Sequence, residues 1–231
     1  PDGPKVFFVY QKSEKTKYWE EAKPYITKYY QIMNNTFGRY VYPTYSFVQG
    51  GDGGMEYGMC TMILGESKSL EGLLGLMIHE GSHSWFQQML ATNESTKPWL
   101  DEGFTSYAES YVMYQLFPKT NEANPFINSL KGYAYFAKSG REEPASWLSD
   151  HHDNSTAYSV ASYTKGELFL VELGYIMGEE TLSKVMKKYY QDWHLKHPSD
   201  RDFMHIAQQI SGMDLKWFYH YWINTTKTID Y

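Results

Sequence analysis

The sequence predicts an α+β fold, because strand-like patterns fill its first third and helix-like patterns fill the rest. Alternating apolar residues predict a strand over residues 5–11 and further strands over Tyr45–Gln49 and Met55–Ile63. Helix-spaced aromatic residues over Lys17–Phe37 predict a helix, which Pro24 should kink or restart. We therefore expect a small mixed β-sheet subdomain that is followed by a mostly helical subdomain.

Helical periodicity recurs in seven segments after the strands. These segments are 69–91, 101–117, 124–138, 160–177, 179–193, 200–211 and 214–224. Residues 140–154 are polar and loop-like, and no internal repeat or low-complexity linker divides the chain. We therefore expect a single domain over residues 1–231, with the sheet in about 1–92 and the helical subdomain in about 93–231.

The composition excludes several classes of function. The chain has 21 Lys and Arg against 27 Asp and Glu, a net charge of −6, so nucleic acid is not an expected partner. No apolar run approaches the roughly 20 residues that a membrane-spanning helix needs. The single cysteine, Cys60, excludes an internal disulfide and a cysteine-based zinc site.

A candidate metal site begins with the segment His79-Glu80-Gly81-Ser82-His83. Its apolar surroundings predict a helix, so the two histidines lie one turn apart and can share an ion. Two unrelated surface histidines are the alternative interpretation of this segment alone. Glu102 follows after eighteen intervening residues, where a new helix can turn its carboxylate back to the histidines. Two His and one Glu are a standard ligand set for catalytic zinc, so we expect one Zn²⁺ per chain.

Two further carboxylates are expected to act beside this ligand set. Glu80 projects at a different helical angle from the histidines, so it can face a zinc-activated water and act as general base. Glu109 lies two turns after Glu102 on the same helix face. It can hydrogen-bond a ligand histidine, or it can be an ordinary solvated helix carboxylate.

These motifs resemble those of the gluzincin aminopeptidases related to aminopeptidase N. Those enzymes pair HExxH with a Glu eighteen residues later in a Trp-Leu-x-Glu-Gly-Phe context, which is Trp99–Phe104 here. The resemblance runs from about residue 5 to the end and implies a thermolysin-like catalytic domain. It covers the catalytic domain only, so other domains of the same full-length protein are expected outside this chain.

A second stretch resembles the substrate-binding motif of that family. Gly53-Gly54-Met55-Glu56-Tyr57 is similar to its Gly-x-Met-Glu-Asn motif, in which the Glu binds the free α-amine of the substrate. The resemblance gives Glu56 that role and places Gly53 and Gly54 in the substrate-binding segment. Tyr57 replaces the usual Asn. A solvated carboxylate on an edge strand is the alternative for Glu56.

A third stretch, Ala157–Gly166, resembles the segment in which the family places its catalytic tyrosine just before Lys-Gly. The resemblance assigns that role to Tyr163, whose phenol would donate to the oxyanion that develops during attack. Tyr158 is a second candidate for contact with the substrate. Without this context, any of the 22 tyrosines would be expected to be a packed core residue.

Together the motifs imply a zinc aminopeptidase that acts on peptides with a free amino terminus. One alternative is a zinc endopeptidase of thermolysin type, which Tyr57 in place of Asn suggests. The other is a non-catalytic peptide-binding fragment that lacks its partner domains. The adjacent His151 and His152 are expected at the surface, outside the site.

Overall fold

The computed structural model describes residues 3–118 and 124–227, so the predicted domain limits at 1 and 231 lie outside the described residues. The chain begins with a four-stranded sheet. Its strands are β1 (Lys5–Val9), β2 (Thr44–Gly50), β3 (Gly54–Tyr57) and β4 (Cys60–Leu64). The strand order is β1-β2-β4-β3, with β3 antiparallel to β4 and the other neighbours parallel. This mixed sheet and the helices that follow it confirm the α+β prediction.

The prediction of a single strand over Met55–Ile63 is wrong, because this segment forms the hairpin of β3 and β4. Its apolar alternation continues through the turn and so resembles one long strand. The chain reverses at Gly58 and Met59, where Met59 has a φ of 59°, and Tyr57 pairs with Cys60. The reversal makes β3 the edge strand of the sheet, beside the helix that carries HExxH.

Nine α-helices are present in the described ranges. They are α1 (Tyr18–Thr36), α2 (Leu70–His83), α3 (Phe104–Leu116), α4 (Ile127–Ala137), α5 (Ser155–Ser159), α6 (Lys165–Met177), α7 (Glu179–Trp193), α8 (Asp200–Ser211) and α9 (Lys216–Asn224). Single 3-10 turns lie at Glu14–Thr16 and Ser149–His151. The predicted helical segments are confirmed, but the one predicted from residue 160 begins earlier. Asn154 caps it there by accepting hydrogen bonds from the N–H groups of Thr156 and Ala157.

Three π-helical segments, Ser84–Met89, Trp99–Gly103 and Val160–Thr164, adjoin these α-helices in the described residues. The first follows His83, the second contains Glu102, and the third contains Tyr163. Short π-helical turns are uncommon and frequently lie at functional sites. All three segments here border the predicted site.

The helix α1 crosses Pro24 without interruption, so the predicted restart is wrong. Proline inside a helix costs about 3 kcal/mol, because it removes one hydrogen bond and crowds the preceding turn. However, α1 buries Trp19, Ile26 and Tyr29 completely or nearly so. Burial of each such side chain stabilises by about 1.5–3 kcal/mol, so packing outweighs the cost of the proline.

An aromatic core joins the sheet to the helices. Tyr45 and Phe47 of β2 are fully buried. The ring of Trp85 packs against those of Tyr29 and Tyr30, with centroids 6.0 and 5.9 Å apart. Most of α2 from Leu73 onward is buried, so the HExxH segment is held firmly against this core. Among the described helices, none combines the length and the hydropathy that a bilayer crossing requires.

Candidate active site

Two elements bring the three predicted metal ligands together. His79 and His83 lie near the end of α2, and Glu102 comes from the π-helical segment before α3. Glu102 Oε2 lies 3.4 Å from His79 Nε2 and 3.4 Å from His83 Nε2. The ligand-capable atoms of the three residues all lie within 4.8 Å of one another, so the group is able to hold one ion.

These separations fit a tetrahedral zinc ion. Zinc binds nitrogen and oxygen ligands at about 2.1 Å, so two donors at a tetrahedral angle are about 3.4 Å apart. Glu102 Oε2 is buried and has no well-formed hydrogen bond among the described residues. Because a buried polar atom without a partner is costly, an ion shared by the three donors accounts for an otherwise unfavourable arrangement.

The electrostatics of this cluster favour positive charge. Burial opposes protonation of His79, yet the Glu102 and Glu109 carboxylates raise its pKa to about 9. Burial alone would raise the pKa of Glu102, but the two imidazoles beside it lower that pKa to about 2. Without a metal the cluster therefore binds protons on its imidazoles, and a metal ion would displace them.

A carboxylate is hydrogen-bonded to the Nδ1 atom of each histidine. His79 Nδ1 is hydrogen-bonded to Glu109 Oε2 at 3.0 Å, and His83 Nδ1 to Asp101 Oδ1 at 2.5 Å. Such bonds fix the orientation of each ring and leave Nε2 directed at Glu102. Glu109 thus makes the histidine contact that was one of its two predicted roles. Asp101 was not predicted, and its position directly before Glu102 is the only sequence signal for it.

Glu80 lies beside the cluster formed by His79, His83 and Glu102, and under the edge strand β3. The residue is 6% exposed, its Oε2 atom is buried without a partner among the described residues, and burial raises its pKa to about 7. A Cβ atom at Gly54 would lie 2.5 Å from Glu80 Cδ. Glycine at position 54 is therefore what allows β3 to pass this close to the carboxylate.

Tyr163 lies directly against two of the predicted metal ligands, His79 and Glu102. Its hydroxyl donates to Glu102 Oε1 at 2.8 Å, and its ring stacks on His79 with centroids 5.7 Å apart. Burial and the nearby Glu102 raise the pKa of Tyr163, so the phenol stays protonated and remains a donor. The ring of Tyr158 meets that of Tyr163 edge-on at 6.2 Å.

A glycine pair sets the distance between Glu102 and Tyr163. A Cβ atom on Gly103 would lie 2.5 Å from Gly166 Cα, and one on Gly166 would lie 2.8 Å from Gly103 Cα. Two backbones therefore touch where the segment with Glu102 crosses the start of α6. No side chain stands between them, so the hydroxyl of Tyr163 reaches Glu102 directly.

A cavity of about 290 Å³ connects these groups. All but one of the predicted site residues line it, namely Gly54, Glu56, His79, Glu80, His83, Glu102, Tyr158 and Tyr163. The exception is Gly53, which is exposed and whose carbonyl accepts a hydrogen bond from Leu64 N–H at 2.6 Å. Gly53 therefore shapes the turn before β3 and does not line the cavity.

His152 corrects the sequence-based expectation of a surface position. Its side chain is only 1% exposed, and Nδ1 is hydrogen-bonded to Glu143 Oε2 at 2.6 Å. The ring lies edge-on to Tyr158 with centroids 5.6 Å apart. Because the Glu143 carboxylate is buried, it needs a hydrogen-bond partner, and His152 turns inward to supply one. His151 remains exposed, as expected.

Sequence comparison relates the chain to known peptidases. The Peptidase family M1 domain matches residues 23–222. Aminopeptidase B of Rattus norvegicus is 28% identical over 202 residues, which cover 80% of this chain and 30% of that protein. Aminopeptidase M1-A of Oryza sativa subsp. japonica is 26% identical over 149 residues, which cover 64% of this chain and 17% of that protein. The chain thus spans less than a third of the length of these relatives.

Solved structures share the fold. An M1 zinc metallopeptidase from Deinococcus radiodurans superposes with a TM-score of 0.77 at 15% identity, covering 96% of this chain and 48% of that one. Yeast LTA4 hydrolase in complex with Bestatin gives a TM-score of 0.78 at 19% identity, covering 100% of this chain and 39% of that one. The predicted resemblance to the gluzincin aminopeptidase fold is confirmed. Because the family match extends over most of its length, the chain belongs to peptidase family M1.

Proposed function

We propose that the chain is the catalytic domain of a zinc-dependent aminopeptidase, which removes residues from the amino terminus of peptides. The observation that carries this proposal is the position of Glu102 Oε2, 3.4 Å from Nε2 of both His79 and His83. Relatives named Aminopeptidase B and Aminopeptidase M1-A support the reaction class. The chain covers at most 30% of those two proteins, so the activity of the whole protein is part of the proposal.

His79, His83 and Glu102 are the proposed zinc ligands. Zinc bound there would supply a Lewis acid that polarises the scissile carbonyl and lowers the pKa of water. Asp101 and Glu109 keep the two imidazoles in the orientation that presents Nε2 to the ion. The donor set and its separations fit zinc without rearrangement of these side chains.

Glu80 is the proposed general base. Its Oε2 atom is buried and unpaired among the described residues, so it is available to accept a proton from water. Burial raises the pKa of this carboxyl to about 7. A carboxylate at this position can take a proton from water and then return it to the departing amine.

Tyr163 is the proposed donor to the carbonyl oxygen as negative charge develops on it. The contacts of its ring with His79 and of its hydroxyl with Glu102 hold the phenol beside the proposed zinc ligands. The raised pKa of Tyr163 keeps the hydroxyl protonated at neutral pH. A fixed donor at this position stabilises the transition state more than the ground state.

Glu56 is the proposed anchor for the substrate's α-amine. It is partly buried on β3, and one of its oxygens lies within 4.8 Å of ligand-capable atoms of His83 and Asp101. In one amino acid the α-nitrogen and the carbonyl carbon are only about 2.5 Å apart. An ammonium held at Glu56 therefore leaves only the first carbonyl within reach of an ion held by His79, His83 and Glu102. Cleavage then removes a single residue.

The two alternative functions find less support. The endopeptidase alternative was suggested by Tyr57, but this side chain is 51% exposed and does not line the cavity. The non-catalytic alternative requires a degraded site, whereas the ligands, the base and the tyrosine lie together around one cavity. Both alternatives are therefore kept as outcomes of the experiment below.

We also propose that the chain forms a single domain that works with other domains of the same protein. In the described residues most of the buried apolar side chains form one cluster from Trp19 to Ile223. This cluster crosses the predicted subdomain boundary near residue 92, which supports a single folding unit. The greater length of the relatives supports the presence of further domains.

The test is mass spectrometry of a short peptide after incubation with the zinc-loaded protein. An unblocked peptide should yield a ladder that shortens by one residue at a time from the amino end, whereas its N-acetylated copy should stay intact. Glu80→Gln should keep zinc and produce no ladder, and Glu56→Gln should slow the reaction. Cuts inside the acetylated peptide would establish the endopeptidase, and no cleavage of either peptide would refute the proposed activity.

A further inference from the structure

Lys165, which lies two residues after Tyr163, belongs to a buried ion pair. Its partner is Glu142, and the two side chains are only 2% and 6% exposed. Lys165 Nζ donates to Glu142 Oε1 and also to the main-chain oxygen of Thr225 at 3.0 Å. Glu142 Oε1 accepts a further hydrogen bond from the hydroxyl of Tyr133 at 2.9 Å. Both charged groups therefore have their partners inside the protein.

The ion pair connects three separate parts of the chain. Glu142 lies in the loop after α4, Thr225 follows α9, and Lys165 is the first residue of α6. The main-chain oxygen of Lys165 also accepts a hydrogen bond from Trp222 Nε1 at 3.0 Å. Side chain and main chain of Lys165 are thus both bound to the end of α9. The start of α6 is fixed from two directions, by α9 and by the loop with Glu142.

Stability alone gives a poor account of this pair. The attraction within a buried ion pair often fails to offset the desolvation of its charges, and apolar side chains of similar volume are frequently as stable. Burial lowers the pKa of the Lys165 ammonium, although the Glu142 carboxylate opposes that shift. The pair does define a geometry, because the ammonium must reach Glu142 and Thr225 at the same time.

Tyr163 is the residue of the proposed site that this geometry affects most directly. It lies in the π-helical segment Val160–Thr164, which ends directly before Lys165. Segments of π-helix are rare, so the surrounding contacts must hold this one in place. The next residue, Gly166, is fixed by its close contact with Gly103. Contacts on both sides of the chain at 165–166 therefore set the direction in which Tyr163 projects.

We propose that the Lys165–Glu142 ion pair is a positioning element, which holds the hydroxyl of Tyr163 where it donates to the reacting carbonyl oxygen. This inference rests on the proposed function, in which Tyr163 is that donor. Neither Lys165 nor Glu142 lines the cavity, so both act through Tyr163 and not on the substrate. Misplacement of a group by about 1 Å can lower a rate about 10²-fold, so loss of the pair should slow turnover.

The test breaks the ion pair from either side. Glu142→Gln and Lys165→Met should each lower kcat about 10- to 100-fold, while KM stays within about threefold and zinc remains stoichiometric. Leu182→Ala is the control for general destabilisation, because Leu182 is a 1% exposed core residue of α7 and does not line the cavity. This control should lower Tm by several degrees and leave kcat within about twofold.

Two combined variants separate positioning from folding. When Tyr163→Phe is already present, Glu142→Gln should lower kcat no further, because the hydroxyl that the pair positions is gone. Lys165→Met together with Glu142→Gln removes both buried charges. The Tm of this double variant should therefore exceed that of either single variant, whereas its kcat should stay low.

Hydrogen exchange of the metal-free protein provides a measurement that needs no turnover. Glu142→Gln should speed exchange of the backbone N–H groups over residues 160–166 about tenfold relative to those of α8. Leu182→Ala should not single out this segment. Unchanged relative exchange over 160–166 in Glu142→Gln would overturn the inference, even if kcat fell.

The remaining outcomes distinguish this inference from the proposed function. Additive losses of kcat when Tyr163→Phe and Glu142→Gln are combined would overturn the inference and leave the aminopeptidase standing. A kcat that recovers together with Tm when both charges are removed would also overturn it, because the pair would then act only through stability. If the native protein cleaved no peptide, the proposed function would fail, and faster exchange over 160–166 in Glu142→Gln would still support the positioning of Tyr163.

Discussion

Replacement of Gly103 by alanine tests how the protein holds Glu102 beside Tyr163. The added Cβ would lie 2.5 Å from Gly166 Cα and 2.6 Å from Gly166 C. Ordinary van der Waals contact begins at about 3.4 Å, so one of the two backbones must move. Because both neighbours are main-chain atoms, no change of rotamer can relieve the overlap.

The size of the effect follows from two opposing contributions. Overpacking costs about 1–3 kcal/mol, and a contact with fixed backbone belongs at the upper end of that range. Alanine favours a helical backbone over glycine by at most about 1 kcal/mol. We therefore expect Gly103→Ala to lower the free energy of unfolding by about 2 kcal/mol. Displacement of the adjacent Glu102 should also lower zinc affinity about tenfold.

The assays are urea unfolding of the metal-free protein and competition for zinc with a chromophoric chelator. Gly132→Ala is the matched control, because a Cβ at this helical position in α4 would have no atom within 4 Å. It should raise the free energy of unfolding by about 0.5–1 kcal/mol and leave zinc affinity unchanged. If Gly103→Ala behaved like Gly132→Ala in both assays, the close crossing would not be what positions Glu102.

Three further predictions concern neighbouring groups. Asp101→Asn should lower zinc affinity about 10- to 100-fold in the chelator assay, because a neutral amide is a weaker acceptor for His83 Nδ1–H and makes the imidazole a poorer ligand. Unchanged affinity would contradict this role. Tyr163→Phe should lower kcat about 10²- to 10³-fold with zinc content preserved, and an unaltered kcat would exclude the phenol as donor. Burial raises the pKa of Glu167 to about 7 from 4.5, so this group stabilises the fold most below pH 4.5. Its contribution, up to roughly 3 kcal/mol, is lost as pH rises through about 7. Urea titrations of metal-free Glu167→Gln should lack that fall in stability.

The sequence was most informative where the chemistry is local. The spacing of His79 and His83 within an apolar helical pattern placed both rings on one face, and the structure has them there. Glu102 was predicted from a separation along the chain, and it lies within ligand distance of both rings. These features depend on helix geometry, which short-range periodicity specifies well.

Features that depend on contacts between distant segments were not predicted. Asp101 supports His83 only because the segment before α3 packs across α2, and no local pattern specifies that packing. The hairpin at Gly58 was misread because apolar alternation is the same on both sides of the turn. His152 is buried because Glu143 and Tyr158 come together around it, and no local pattern near the His151-His152 pair indicates these contacts.

Zinc stoichiometry tests the central claim most directly. Metal content after equilibrium dialysis should be one zinc per chain for the native protein and for Glu80→Gln, because Glu80 is not a ligand. Glu102→Ala should lose the bound zinc at the same free concentration, since two histidines alone bind the ion far more weakly. A native protein without stoichiometric zinc, or a Glu102→Ala variant that retains it fully, would contradict the assignment of the site.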